Sequence, residues 1–108
     1  MNETSMEIYM EVGACMRLCK TLMAKTIVEF SRIAPKSEIQ KLNRAIEKLY
    51  DATCYADEKM FRKKIADSWE YNSVFFGATD QEPRSDIDAQ VLKVAQKIAS
   101  KLVWENEL

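Results

Sequence analysis

Residues 5–33, SMEIYMEVGACMRLCKTLMAKTIVEFSRI, decide the fold class. At 100° per residue, Ile8, Val12, Cys15, Met16, Cys19, Leu22, Met23, Thr26, Ile27, Phe30 and Ile33 fall on one side of a helical wheel. The other side is not cleanly polar: Met6, Met10, Ala14, Ala24 and Val28 line up there, interrupted by Arg17 and Thr21. A helix apolar on two sides has two things to touch. Pro35 stops it, because the proline ring disfavours helical geometry in the residue before it.

Working outward, Ser37 followed by Gln40 reads as a capping box opening a second helix over 38–54, whose apolar face is Ile39, Leu42, Ile46, Leu49, Tyr50 and Thr53. Continuing that phase would place Asp57 and Lys64 in the middle of the apolar stripe, a costly position for a charge. A break near CYAD is therefore expected, with Asp57 capping a third helix over 57–76 that shows Phe61, Ile65, Ser68, Trp69, Asn72 and Phe76 on one face. One long kinked helix over 38–76 is the alternative, since neither glycine nor proline interrupts it. Residues 77–85, GATDQEPRS, read as a loop with Gly77 as helix terminator. Ser85 or Asp86 then caps a last helix over 86–105, with Ile87, Val91, Val94, Ala95, Ile98 and Leu102 inward. No repeat or low-complexity segment is present.

Composition agrees. Two glycines and two prolines in 108 residues are too few for the turns of a sheet protein, and an apolar content of 47% suffices for one modest core. The chain reads as all-α, a small antiparallel bundle of three to four helices (5–33, 38–54, 57–76 and 86–105) forming one domain over 1–108.

Several function classes are disfavoured. A net charge of −1 supplies no global field toward nucleic acid or anionic membrane. The N-terminus carries acids where a secretory signal carries bases, and no apolar run approaches the roughly 18 residues of a membrane span. With an odd number of cysteines lacking disulfide-framework spacing, a cytoplasmic location is expected. Cys15 and Cys19 lie one turn apart, and Cys54 offers a third thiol, but no histidine and no Cys-x-x-Cys pair completes a metal site. Their place on the wide apolar stripe predicts buried, reduced packing residues without metal. The lack of histidine also removes the usual general base, and no Glu-x-x-His pair, phosphate loop or dinucleotide fingerprint appears. No enzyme and no cofactor are expected.

Charge is arranged in blocks. Residues 17–48 hold eight Lys or Arg against three Glu, and KMFRKK at 59–64 adds four bases, while 65–90 hold six acids and one Arg. Lys93, Lys97, Lys101 and Trp104 share the outer side of the last helix, an arrangement suited to a protein interface or to stacking on a base. Ser68 and Asn72, one turn apart beside Trp69, are candidates for a small-molecule pocket or a register-fixing polar pair. The expected function is non-catalytic protein binding, as a homo-oligomer, adaptor or inhibitor of a larger partner. The strip Met6, Met10, Ala14, Ala24 and Val28 is the expected homodimer surface, with Lys97, Lys101 and Trp104 as a further contact. A nucleic-acid-associated accessory subunit using the basic blocks at 17–48 and 59–64 is the alternative, with no membrane partner.

Overall fold

A computed structural model of the chain describes residues 3–77, 79 and 82–106, with side chains described over 5–77, 79 and 82–102. Helix α1 (Glu3–Phe30) is followed by α2 (Lys36–Arg62), a 3-10 helix (Trp69–Val74) and α3 (Asp86–Asn106). No strand occurs among the described residues, so the all-α expectation holds. No described helix is long and apolar enough to cross a membrane.

The expected boundaries change in three places. First, α1 ends at Phe30 rather than Ile33, and its last carbonyl closes a turn by accepting from the Ile33 and Ala34 amides at 3.0 Å each. Extended Pro35 then caps α2 from its backbone, and Ser37 makes no side-chain cap. Second, there is no break near CYAD. Helix α2 runs through Asp57, which lies between buried Thr53 and Met60 on one stripe, because nothing there interrupts the backbone ladder. The cost shows in the side chain: Asp57 Oδ1 is buried without a hydrogen-bond partner among the described residues, and desolvation raises the acid's pKa above the ordinary carboxylate value.

Third, the helix expected over 57–76 is replaced by a stop and a short 3-10 turn. Lys64 adopts a left-handed φ of 58°, its amide donates to Phe61 O at 3.0 Å, and the Ile65 amide reaches back to Met60 O at 3.1 Å. This pair of bonds is a Schellman ending, with lysine in the place glycine usually takes. It lifts Lys64 off the apolar stripe. The Ser68 hydroxyl then accepts from the Glu70 amide at 3.3 Å and opens the 3-10 helix. Ser68 is thus a cap, Asn72 is exposed and Trp69 stands in solvent, so the expected polar pocket beside Trp69 does not form.

The 3-10 helix nevertheless supplies core, through Val74 and Phe75, which join Ala14 of α1, Met60 and Ala66 near the end of α2, and Val91 and Ala95 of α3. Tyr9 packs edge-on against Phe75 at 6.3 Å between ring centroids. Gly13 lets α1 and the 3-10 helix meet backbone to side, since a Cβ there would overlap the Val74 carbonyl. Helix α1 therefore lies between α2 on one flank and α3 on the other, with the 3-10 helix beneath it.

Candidate functional site

The inner side of α1 is fastened by a charge. Arg17 is almost wholly buried, and its Nη1 lies 2.8 Å from Asp88 Oδ1 of α3. The same guanidinium donates to Ser73 O at 2.8 Å and, through Nε, to Gly77 O at 3.1 Å. Asp88 is held in turn: its Oδ2 accepts from the Arg84 amide at 2.8 Å, and its own amide donates to the Ser85 hydroxyl at 3.1 Å, the cap expected for the last helix. Gly77 has room for no side chain, since a Cβ would come within 2.8 Å of Arg17 Nη2. One turn along α1, Thr21 accepts a 2.7 Å hydrogen bond from Thr79. The two polar residues that interrupt the second apolar strip are thus the points where α1 grips Ser73, Gly77, Thr79 and the first turn of α3.

That geometry inverts the expected orientation of α1. Met6 and Met10 pack against the core and Ala14 is fully buried, so three of the five residues of the expected homodimer strip are consumed within the chain. Ala24 and Val28, beyond the reach of the core, stay exposed. Conversely, part of the wide stripe expected inside faces solvent: Ile8 is 53% exposed and Leu22 65%, and Val12 is exposed as well, whereas Met16 packs against the core and Met23, Ile27 and Phe30 are half-buried. Cys15 and Cys19 are exposed free thiols, not buried packing residues, and Cys54 is half-buried. Cys19 Sγ donates to Met23 Sδ at 3.8 Å along the helix. Among the described residues no cluster of three or more His, Cys, Asp or Glu side chains could hold a metal ion.

Grooves flank the outward stripe. Between α1 and α3, Cys15, Leu18, Cys19 and Leu22 face Ile98 and Leu102 across an almost wholly apolar groove of about 540 Å³. On the other flank, Cys19, Leu22, Met23 and Thr26 meet Leu42 of α2 around a smaller hollow of about 170 Å³. A separate cleft of about 490 Å³ opens between α1 and α2, floored by Met16, Ile46, Phe75 and Phe76 and rimmed by Lys20, Glu47 and Asp51. Tyr50 stands at its edge against Phe76, with ring centroids 6.1 Å apart. Its hydroxyl titrates above the ordinary value, chiefly through a hydrogen bond with the Cys54 side chain.

Of the remaining expected contacts, Lys97 and Lys101 are exposed on α3, while the side chain of Trp104 lies outside the described residues. The basic block at 17–48 gives up Arg17 to the interior, and two more of its members pair on the surface, Arg32 with Glu29 at 3.0 Å and Lys41 with Glu38 at 2.9 Å. A signal for the outward face was present in the spacing of Ile8, Val12, Cys15, Cys19, Leu22 and Thr26, whose alternating steps of four and three mark a seam narrower than a core-facing stripe. No family model, curated protein or solved structure matches the chain.

Proposed function

We propose that the chain is a non-catalytic binding protein whose outward face of α1, with its flanking grooves, docks protein. One observation carries this reading: Ile8, Val12, Cys15, Cys19, Leu22 and Thr26, a continuous stripe of α1, are turned to solvent, while Met6, Met10, Ala14 and Arg17 on the opposite side of the same helix serve the core. Contiguous exposed apolar surface of this kind marks association surfaces, because leaving it in water forfeits about 25 cal/mol per Å². The groove against Ile98 and Leu102 adds concave shape to the apolar chemistry, the form in which anchors from a second protein are received. Homo-oligomer, adaptor and inhibitor are all roles such a face can serve. A photoreactive residue placed at Leu22, compared with one at exposed Arg44 on α2, tests the reading in the native host cell. Protein adducts should form from position 22 and not from 44. Equal yields at both positions, or none at 22, would refute it.

A further inference from the structure

The outward stripe is built as a coiled-coil seam. Ile8, Val12, Cys15, Cys19, Leu22 and Thr26 follow steps of four, three, four, three and four, which places Val12, Cys19 and Thr26 at a positions and Ile8, Cys15 and Leu22 at d positions of a heptad. Within α1 this seam has no covering element: Ile8, Val12, Cys15, Cys19, Leu22 and Thr26 are all exposed. The residues preceding each a position, at g, are Glu11, Leu18 and Lys25, and both charged ones are exposed.

Resting on the docking reading above, we propose that the occupant of this face is a second copy of the chain, α1 laid antiparallel on α1 about a two-fold axis crossing the seam between Cys15 and Cys19. Register follows from the heptad. In an antiparallel pair each a residue meets a d residue of the other helix, so Val12 faces Leu22, Ile8 faces Thr26 and Cys15 faces Cys19, each layer occurring twice by symmetry. Every layer then sets a larger side chain against an equal or smaller one. Charge selects the same register: g positions face g positions in an antiparallel pair, and Glu11 and Lys25 stand seven residues either side of Leu18, the g position beside the two-fold axis, so each Glu11 meets a Lys25 of the second copy and the two copies of Leu18 meet beside the α1–α3 groove.

A parallel pair lacks these matches. It would stack Leu22 on Leu22 and Thr26 on Thr26, and would bring Glu11 against Met16 instead of a cation. Surfaces that are complementary to themselves under a two-fold rotation are the hallmark of an isologous dimer. A foreign partner would not require Glu11 and Lys25 to sit symmetrically about Leu18, the g position beside the two-fold axis.

The two thiols make the arrangement readable. In a Cys54→Ser background, one variant carries Cys15→Ser and so keeps only Cys19, and the other carries Cys19→Ser and keeps only Cys15. Oxidation with copper phenanthroline and dissolved oxygen, which removes one electron and one proton from each of two apposed thiols, should give a covalent dimer from the mixture and none from either variant alone. A dimer from a single variant overturns the proposed register, because like positions meet only in a parallel pair or in an antiparallel pair centred on that residue. No dimer in the mixture overturns the register equally.

Charge reversal supplies the second arm. Glu11→Lys and Lys25→Glu should each weaken self-association roughly tenfold by light scattering, and the double reversal should restore it, since like charges across an interface are strongly unfavourable. Unchanged association in both single variants, or no rescue in the double, counts against the pairing. A chain that stays monomeric at all micromolar concentrations removes the second copy altogether. In that event an adduct between position 22 and a foreign protein leaves protein docking standing, whereas its absence removes both.

Discussion

The two sides of α1 use opposite chemistry for packing. Beside the core-packing Met6 and Met10, the inner side carries Gly13, Ala14, Arg17 and Thr21, small or polar residues that bring the 3-10 helix, Gly77, Thr79 and α3 within reach. The outer side carries Ile8, Val12, Cys15, Cys19 and Leu22 and touches solvent. Backbones approach closely only where side chains are small, and a guanidinium donating to two carbonyls and a carboxylate joins three segments that a leucine could only touch. The inner side is specified by geometry and hydrogen bonding, the outer by hydrophobicity.

The strongest way to break this contrast is at Arg17. Its partner Asp88 is buried, so Arg17→Met would leave a buried carboxylate without its cation and two carbonyls without donors. Removing one member of a buried pair costs about 3–5 kcal/mol, enough to unfold a small domain. Urea denaturation followed by circular dichroism should show that loss. Adding Asp88→Leu to Arg17→Met should recover part of it, because the lone charge is gone, but not all, because the Ser73 and Gly77 carbonyls still lack a donor. A single variant as stable as the parent would show that the ion pair is incidental to the fold.

Gly13→Ala is the next test. The added methyl would meet the Val74 carbonyl and Val74 Cγ1, so α1 and the 3-10 helix must separate. Alanine's better helix propensity, worth about 1 kcal/mol, opposes the clash. Overpacking costs about 1–3 kcal/mol and backbone is the least yielding of neighbours, so net destabilisation near 2 kcal/mol is expected by the same urea titration. A stabilised variant would mean that the approach is looser than the structure has it.

What was legible in the sequence follows the same division. Periodicity located α1 and α3, and GATDQEPRS located the connection before α3 together with its Ser85 cap. The face of α1 was not legible from hydropathy, because a core stripe and an interface stripe have the same period. Arg17 looked like a solvated interruption, since its partner lies 71 residues away along the chain. The true end of α2 was hidden because the left-handed stop falls on Lys64 and not on a glycine. Asp57 argued for a break about two turns too early: the helix accepts a poorly solvated acid in preference to losing its ladder.

Asp57 also sharpens the contrast, as an acid on a packed stripe without the partner that Asp88 enjoys. Desolvation raises its folded pKa above the unfolded value, so the folded state binds the proton more tightly. Its ionisation therefore subtracts stability above the folded pKa and subtracts nothing below the unfolded one. Asp57→Asn should stabilise the chain at neutral pH, by less than about 1 kcal/mol given its partial solvent exposure. The gain should shrink as pH falls through the carboxylate range. Urea midpoints at pH 7 and pH 3.5 measure it, and a pH-independent difference would assign the effect to something other than the charge.

The smallest expected effect is the most telling. Leu22→Glu places a charge on the outer face and Ala14→Glu places the same charge on the inner one. At Ala14 there is no space and no water, so the carboxylate would have to displace the core or remain uncompensated, and folding should fail. At Leu22, two-thirds exposed, the carboxylate keeps its hydration and replaces a side chain with little to lose, so the stability of the isolated chain should change by no more than about 0.5 kcal/mol. The measurement must be made on dilute protein, because any partner bound to the folded state adds its own free energy by mass action. Under those conditions a large loss at Leu22 would place that residue in the core after all. A negligible loss, accompanied by weaker association in concentrated samples, would assign its apolar surface to binding and not to folding.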